Sequence, residues 1–238
     1  MAVLSRYPLD RDHNRDFTAL LWKDLPQANL PPDLTKDARL LQRLSVALDE
    51  AKHIVVSDDR AAAAEMARYF AQLGHEHIAF ISGPQRYKSS TERMEGFQLG
   101  LSAYGIKIRP DWIVEGNNTY ETGIECARQL LQGQDIPTAI FANNDQMAAG
   151  VLKVAHSLGI KVPEQLSVAG FDDNMLASRV IPALTTIKRP VRQMALLATS
   201  KMIMSIENND KAASNVAAKV APTLVVREST ARINTIDS

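Results

Sequence analysis

Apolar residues follow two rhythms along this chain. Short unbroken apolar runs alternate with longer segments in which apolar residues recur three or four positions apart. The first rhythm is that of a strand buried on both faces, the second that of a helix with one inward stripe. The pattern becomes regular at Asp58. Asp58 or Asp59 is placed to cap a helix whose inward face holds Ala62, Met66, Tyr69 or Phe70, and Leu73, and Gly74 stops it. HIAFIS (77–82) reads as a buried strand ending at Gly83-Pro84. Ser89 and Glu92 have capping-box spacing and open a helix with Met94, Phe97, Leu101 and Tyr104 inward, closed by Gly105. A short strand follows at Trp112 to Glu115, then a helix starting at Thr119 or Glu121 and ending near Gly133.

The unit repeats. TAIFA (138–142) is a strand, followed by Asn143, Asn144 and Asp145 and a helix with Met147, Val151, Val154 or Ala155, and Leu158 inward, stopped at Gly159. LSVAGFDD (166–173) is the next buried strand, then LTTIK (184–188). Pro190 suits the first turn of a helix that runs through Met194 and Leu197 to about Ile206. TLVVRE (223–228) is the last strand. Strands and helices alternating in this way predict an α/β fold with a parallel sheet covered on both faces. Upstream the pattern is weaker. LPQANLPPDL (25–34) reads as a loop, TKDARLLQRL (35–44) as a short helix, and SVALD (45–49) and HIVVS (53–57) as two short strands.

Composition narrows the function. The chain has 238 residues, 45% of them hydrophobic, which suits a protein of one or two domains. Its formal net charge is zero, so it offers no broad attraction for nucleic acid or membrane. No run approaches a membrane span, and the N-terminal stretch is not a secretory signal. A lone cysteine, Cys126, forms no internal disulfide, and a cytoplasmic location is the simplest reading.

Polar residues gather where the apolar runs end: Ser57-Asp58, Ser89 to Thr91, Asn117-Asn118, Asn143 to Asp145, and Asp172-Asp173. In a parallel sheet these ends share one side, where open α/β sheets bind ligands. Asp172 is placed to accept hydrogen bonds from a ligand, or else Asp172 and Asp173 cap a following helix. No His, Ser and Asp set has a nucleophile-elbow context, and no carboxylate spacing is diagnostic of metal, so neither an enzyme nor a cofactor is expected.

VVSDDRAAA, LGHEHIAFISG, ERMEGF, TAIFANNDQMAAG, VPEQLSVAGFDD, IPALTTIKRP and TLVVREST, in this order and at these intervals, resemble the ligand-binding core of the LacI/GalR family of bacterial transcription regulators, from about Ser45 to Arg232. The resemblance implies a two-lobe, periplasmic-binding-protein-like α/β sandwich with a small polar effector, of sugar or nucleoside class, held between lobes whose closure it biases. It implies a ligand set of Arg93, Asp172, Asn144 and Ser89, with Asp49 and Arg189 near the hinge. Asn118 stands where many members carry a ring that stacks on a sugar; Tyr87 or Tyr120 is a substitute. The resemblance also implies a homodimer, with the helix from Asp145 to Leu158 in the dimer-packing region. The expected division is an unassigned segment 1–44, a partial N-terminal lobe (45–57 plus 189–206) and a complete C-terminal lobe (58–188 plus 207–238). The N-terminal lobe reads as truncated and the family's DNA-binding helix-turn-helix is not visible, so this chain alone is not expected to bind operator DNA. A stand-alone sugar-binding protein shares the same fold and pocket, an α/β enzyme lacks its constellation, and a non-functional remnant completes the alternatives.

Overall fold

The computed structural model describes residues 55–208 and 218–233. By contact the chain divides into two units, one of Met1–Ser57 and Pro190–Val220 and one of Asp58–Arg189 and Ala221–Ser238. The readings for residues 1–44 and the strand at 45–49 lie outside the described residues, as does Asp49.

In the first unit, β1 (Val55–Ser57) pairs in parallel with β7 (Ala218–Val220), Val55 opposite Ala218. Helix α5 (Val191–Asn208) brings Met194 against Val55 and Val220. The pairing of β7 with β1 places residues 218–220 in the first unit.

The second unit is built on a six-stranded sheet in the order β3-β2-β4-β5-β6-β8. Its strands are β2 (Ile78–Ser82), β3 (Ile113–Glu115), β4 (Ala139–Ala142), β5 (Ser167–Asp172), β6 (Thr185–Lys188) and β8 (Thr223–Val225). The first five run in parallel, and β8 is antiparallel to β6. That edge departs from the all-parallel expectation, because β8 reaches the sheet from the other unit and not through a helical crossover.

Four helices cover the sheet: α1 (Asp59–Gln72), α2 (Lys88–Ser102), α3 (Tyr120–Leu131) and α4 (Asp145–Ser157). The chain steps from β2 to β3 in one direction and from β3 to β4 to β5 in the other. Right-handed crossovers therefore put α2 on one face and α3 and α4 on the opposite one. The core divides accordingly. One layer joins Phe70 and Met66 of α1, Phe97 and Leu101 of α2, and Phe80, Phe141 and Phe171 of the sheet. The other joins Trp112, Val114, Leu130, Met147, Val151, Ile140 and Val168.

Close helix pairing depends on small residues. A Cβ at Gly100 of α2 would sit 2.6 Å from the Ala67 Cβ of α1, and one at Gly96 would collide with the Arg60 carbonyl. On the other face Gly123 and Gly150 bring α3 and α4 together in the same way.

Several local readings need correction. Helix α2 starts at Lys88 behind Tyr87, whose side chain makes no cap bond, so Ser89 and Glu92 form no capping box. Tyr104 lies beyond the end of α2 and is exposed. Trp112 closes a short 3-10 turn before β3, and β8 stops at Val225. No helix follows Asp172-Asp173, so neither caps one.

Candidate functional site

β2 is flanked by β3 on one side and β4 on the other, so the strand order reverses there. Loops leaving the carboxyl ends of β2 and β4 diverge to opposite faces and open a crevice. Gly83 sits at that point. A Cβ on Gly83 would lie 2.6 Å from both the Ser90 Oγ and the Asn118 Oδ1, and would also collide with the Asn143 Nδ2. Only glycine leaves these polar groups room to meet. The Asn143 amide donates to the Asn118 Oδ1 at 2.7 Å and reaches the Ser90 hydroxyl at 3.4 Å. Asn118 holds a left-handed backbone, φ 70°, which asparagine tolerates better than most residues.

Arg93 comes from the inward stripe of α2, in register with Ser90, Phe97 and Leu101, and is buried to 4% exposure. A charge this deep requires partners. The Nε donates to the Asp59 Oδ2 at 2.9 Å, with Nη2 2.8 Å from the same oxygen. Nη1 donates to the Asn143 carbonyl at 2.5 Å. The planar guanidinium lies 3.7 Å above the Phe171 ring, a stacking that lysine cannot reproduce. Its Nη2 also reaches within 3.8 Å of the Asp172 Oδ1. Surface pairing with Glu92 or Glu95 does not occur: Glu92 pairs with Lys88 and Glu95 with Arg60.

Asp172 ends β5 with φ 116°, and Asp173 follows at φ 54°. Two consecutive non-glycine residues at positive φ are costly, so surrounding contacts must hold them. Arg189 donates to Asp172 at 3.3 Å, and Arg227 donates to Asp173 at 2.5 Å. Arg227 also donates to the Leu184 carbonyl at 2.8 Å, anchoring the segment after β8 to the sheet.

Arg93, Asp172, Arg189, Asn118 and Asn144 thus share the carboxyl ends of the strands. Asn144 is used at both ends: its Oδ1 accepts from the Met147 N–H and caps α4, and its Nδ2 donates to the Asn118 carbonyl. Ser89 is half-buried in the first turn of α2, and the hydroxyl that joins the asparagine network is that of Ser90. Tyr87 and Tyr120 are both partly exposed, Tyr87 beneath the Arg86 guanidinium.

The ligand set implied by the resemblance left out Asp59, Asn143 and Ser90, although Asn143 and Ser90 stood among the polar residues at the strand ends. Three atoms here are buried without a hydrogen-bond partner: the Asp59 Oδ1, the Asn143 Oδ1 and the Arg189 Nε. They offer two acceptors and one donor. Among the described residues, no three His, Cys, Asp or Glu side chains are placed to hold a metal. Cys126 is buried, and that burial pushes its thiol pKa up, away from nucleophilic use. No described helix is long and apolar enough to cross a membrane.

Comparison with known proteins places this geometry in context. Residues 67–230 match the periplasmic binding protein-like domain family. The probable HTH-type transcriptional repressor ExuR of Bacillus subtilis is 34% identical over 181 residues, covering 76% of this chain and 54% of that protein. A sugar-binding transcriptional regulator of the LacI family from Escherichia coli, solved with phosphate, is 31% identical with a TM-score of 0.69, covering 75% of this chain and 63% of that one. The transcriptional regulator CelR in complex with cellobiose is 27% identical with a TM-score of 0.67, covering 75% of this chain and 54% of that one. These relatives are regulators rather than enzymes. The chain spans about half the length of the curated relatives it matches.

Proposed function

The chain belongs to the periplasmic binding protein-like family in the form carried by LacI-type transcriptional regulators, and from that premise we propose that it is the effector-binding part of such a regulator. Its six-stranded unit is the C-terminal lobe. It holds a small polar ligand, of sugar or nucleoside class, at the carboxyl ends of β2, β4 and β5. Arg93 and Asp172 are the principal polar contacts, one a planar fork of donors and the other an acceptor, and together they suit vicinal hydroxyls. Arg189, Asn118 and Ser89 complete the contact set on this unit, with Asn144 holding Asn118 in place.

One observation carries this reading. Arg93, Asp172, Asp59, Asn143 and Asn118 come from separate elements and are brought together at the reversal of strand order, with unpartnered acceptors among them. The cellobiose held by one relative supports a sugar. Asn118 in place of a ring removes an apolar stacking surface and favours a ligand recognised chiefly through hydrogen bonds.

The proposal extends to the whole protein: a homodimer paired through α4, acting on operator DNA through a helix-turn-helix and changing that grip when the effector binds. Isothermal titration of the chain with cellobiose, D-glucose, D-galactose, adenosine and guanosine tests the ligand reading. Binding by one of them that is lost in Arg93→Ala supports it; no heat with any of the five contradicts the class proposed.

A further inference from the structure

Asp145 is buried in the second unit, and no role in ligand contact accounts for it. It is the first residue of α4, with no measurable exposure. Its Oδ1 accepts from the Thr186 hydroxyl of β6 at 2.5 Å, and its Oδ2 accepts from the Asn174 N–H at 2.9 Å. It therefore joins three strands: it follows β4, reaches past β5 to β6, and holds the turn that leaves β5. The glycine of the LSVAGFDD run makes this possible. A Cβ at Gly170 would lie 2.5 Å from the Asp145 Oδ1 and 3.1 Å from its Cα, so any side chain there would expel the carboxylate.

The turn so held is Asp172-Asp173-Asn174. Its first two residues have positive φ, a conformation that must be imposed from outside. Side-chain ion pairs fix the two carboxylates, the Asp172 carbonyl accepts from the Arg189 N–H at 3.5 Å, and the Asn174 N–H leaving the turn donates to Asp145. We propose that Asp145 is a positioning residue: by clamping the Asn174 N–H and the Thr186 hydroxyl it sets the backbone of Asp172 and so aims that carboxylate at the ligand. This rests on the ligand reading for its functional meaning, but the clamp stands on its own geometry.

The clamp sits in a field that varies with pH. Burial pushes the Asp145 carboxyl up to about 7, against the pull of its bonds to Thr186 and Asn174, and the nearby Asp172 and Asp173 push it further. Four cations stand around these two carboxylates: Arg93 of α2, Lys188 and Arg189 at the end of β6, and Arg227 beyond β8. All four cations are paired with Asp172 or Asp173. Asp145 thus changes charge near neutrality, directly behind the ligand-facing turn. Protonation on Oδ1 preserves both contacts if the Thr186 bond reverses direction, so the turn is held in both states while the charge behind Asp172 alternates.

The test uses amide NMR on the full chain without ligand. In the wild type, the Asn174 amide and the Asp172 carboxyl carbon shift through a common transition near pH 7. In Asp145→Asn, whose amide can accept from Asn174 and donate to Thr186, the transition disappears and Asn174 stays protected from solvent exchange. In Asp145→Ala, Asn174 exchanges at least tenfold faster while amides of β2 and α3 keep their protection. An Asp145→Ala variant that leaves the Asn174 exchange unchanged overturns the clamp, and an Asn174 amide that ignores pH between 6 and 8 in the wild type overturns the change of charge behind it. Failure to find a binding sugar or nucleoside overturns the ligand reading and leaves this result readable. Should Asp145→Ala not fold, Thr186→Val removes one arm of the clamp, and an unmoved wild-type transition midpoint in that variant counts against the proposal.

Discussion

Arg93 and Asp172 face each other at 3.8 Å, guanidinium nitrogen to carboxylate oxygen, although one comes from the inward stripe of α2 and the other from the last residue of β5. At that distance the pair is an open contact rather than a closed salt bridge. Arg93 is neutralised mainly by Asp59, and Asp172 mainly by Arg189, so the oxygen and nitrogen that meet are not fully engaged with each other. On the proposed reading, a small hydroxylated ligand is gripped by both.

Removing Arg93 has two consequences. Arg93→Ala should abolish the proposed ligand binding, and it leaves the Asp59 carboxylate buried without its cation. Breaking a buried pair from one side costs about 3–5 kcal/mol. Urea denaturation should show a loss of that order for Arg93→Ala. The double variant Asp59→Asn with Arg93→Gln should recover part of it, because no charge is left stranded. A double variant as unstable as Arg93→Ala would show that the stacking on Phe171, and not charge, dominates.

Stability against pH should be set by two groups of opposite sign. Burial lowers the His75 pKa from 6.5 to about 4, while that of Asp145 rises from 3.8 to about 7. His75 stabilises the fold above pH 6.5, and this is lost as pH falls towards 4. Asp145 stabilises below pH 4, and this is lost as pH rises through 7. Between pH 4 and 6.5 the folded chain keeps the Asp145 proton and lacks the His75 proton, so the two slopes cancel. Each alone is worth roughly 3–4 kcal/mol across its window. The Asp145→Asn variant should lose stability as pH falls from 6.5 to 4, His75→Gln should gain it, and the wild type should lie nearly flat between them. Slopes of the same sign in the two variants would contradict this.

Asn118 offers a backbone test. Its φ of 70° favours glycine over alanine, the reverse of the order in a helix. Both substitutions delete the acceptor for the Asn143 amide. Asn118→Ala should therefore be less stable than Asn118→Gly by about 1 kcal/mol in urea titrations. Equal stabilities would mean that the turn relaxes.

Gly96 offers a packing test. Alanine is the better helix former by about 1 kcal/mol. Here its methyl would meet the Arg60 carbonyl of α1, and overpacking costs about 1–3 kcal/mol. The Gly96→Ala variant should melt below the wild type. A raised melting temperature would show that α1 and α2 have slack between them.

The sheet and the order of its elements were legible because each strand is a run of apolar residues and each helix carries a stripe. The polar members of those stripes were harder to see. Asp59 lies in register with Ala62, Met66 and Phe70, and the Asp58-Asp59 pair offers two carboxylates of which one caps and the other turns inward. Neighbours on a helix point about 100° apart, so the stripe that buries Ser90 leaves Ser89 half-buried beside it. The same ambiguity hid Asn143 beside Asn144: the first leaves β4 into the network, and the second caps α4. At Asp59 and Ser90 the stripe carried the signal, because a charged or polar residue in register with buried neighbours is itself buried. The antiparallel β8 was not legible, since strand direction at a sheet edge depends on where the chain returns from and not on the strand's own residues.

The central claim is that a small polar ligand sits against Arg93 and Asp172. Its most direct test is a map of nitrogen and proton shifts as cellobiose, or whichever of the five titrated compounds binds, is added to the labelled chain. The account predicts that the Arg93 Nε–H, the Asn143 and Asn118 side-chain amides and the backbone amides of Asp172 to Asn174 move most. Shifts concentrated instead at the surface groove between α3 and α4, lined by Arg128, Lys153 and Ser157, with the Arg93 signal unmoved, would contradict it.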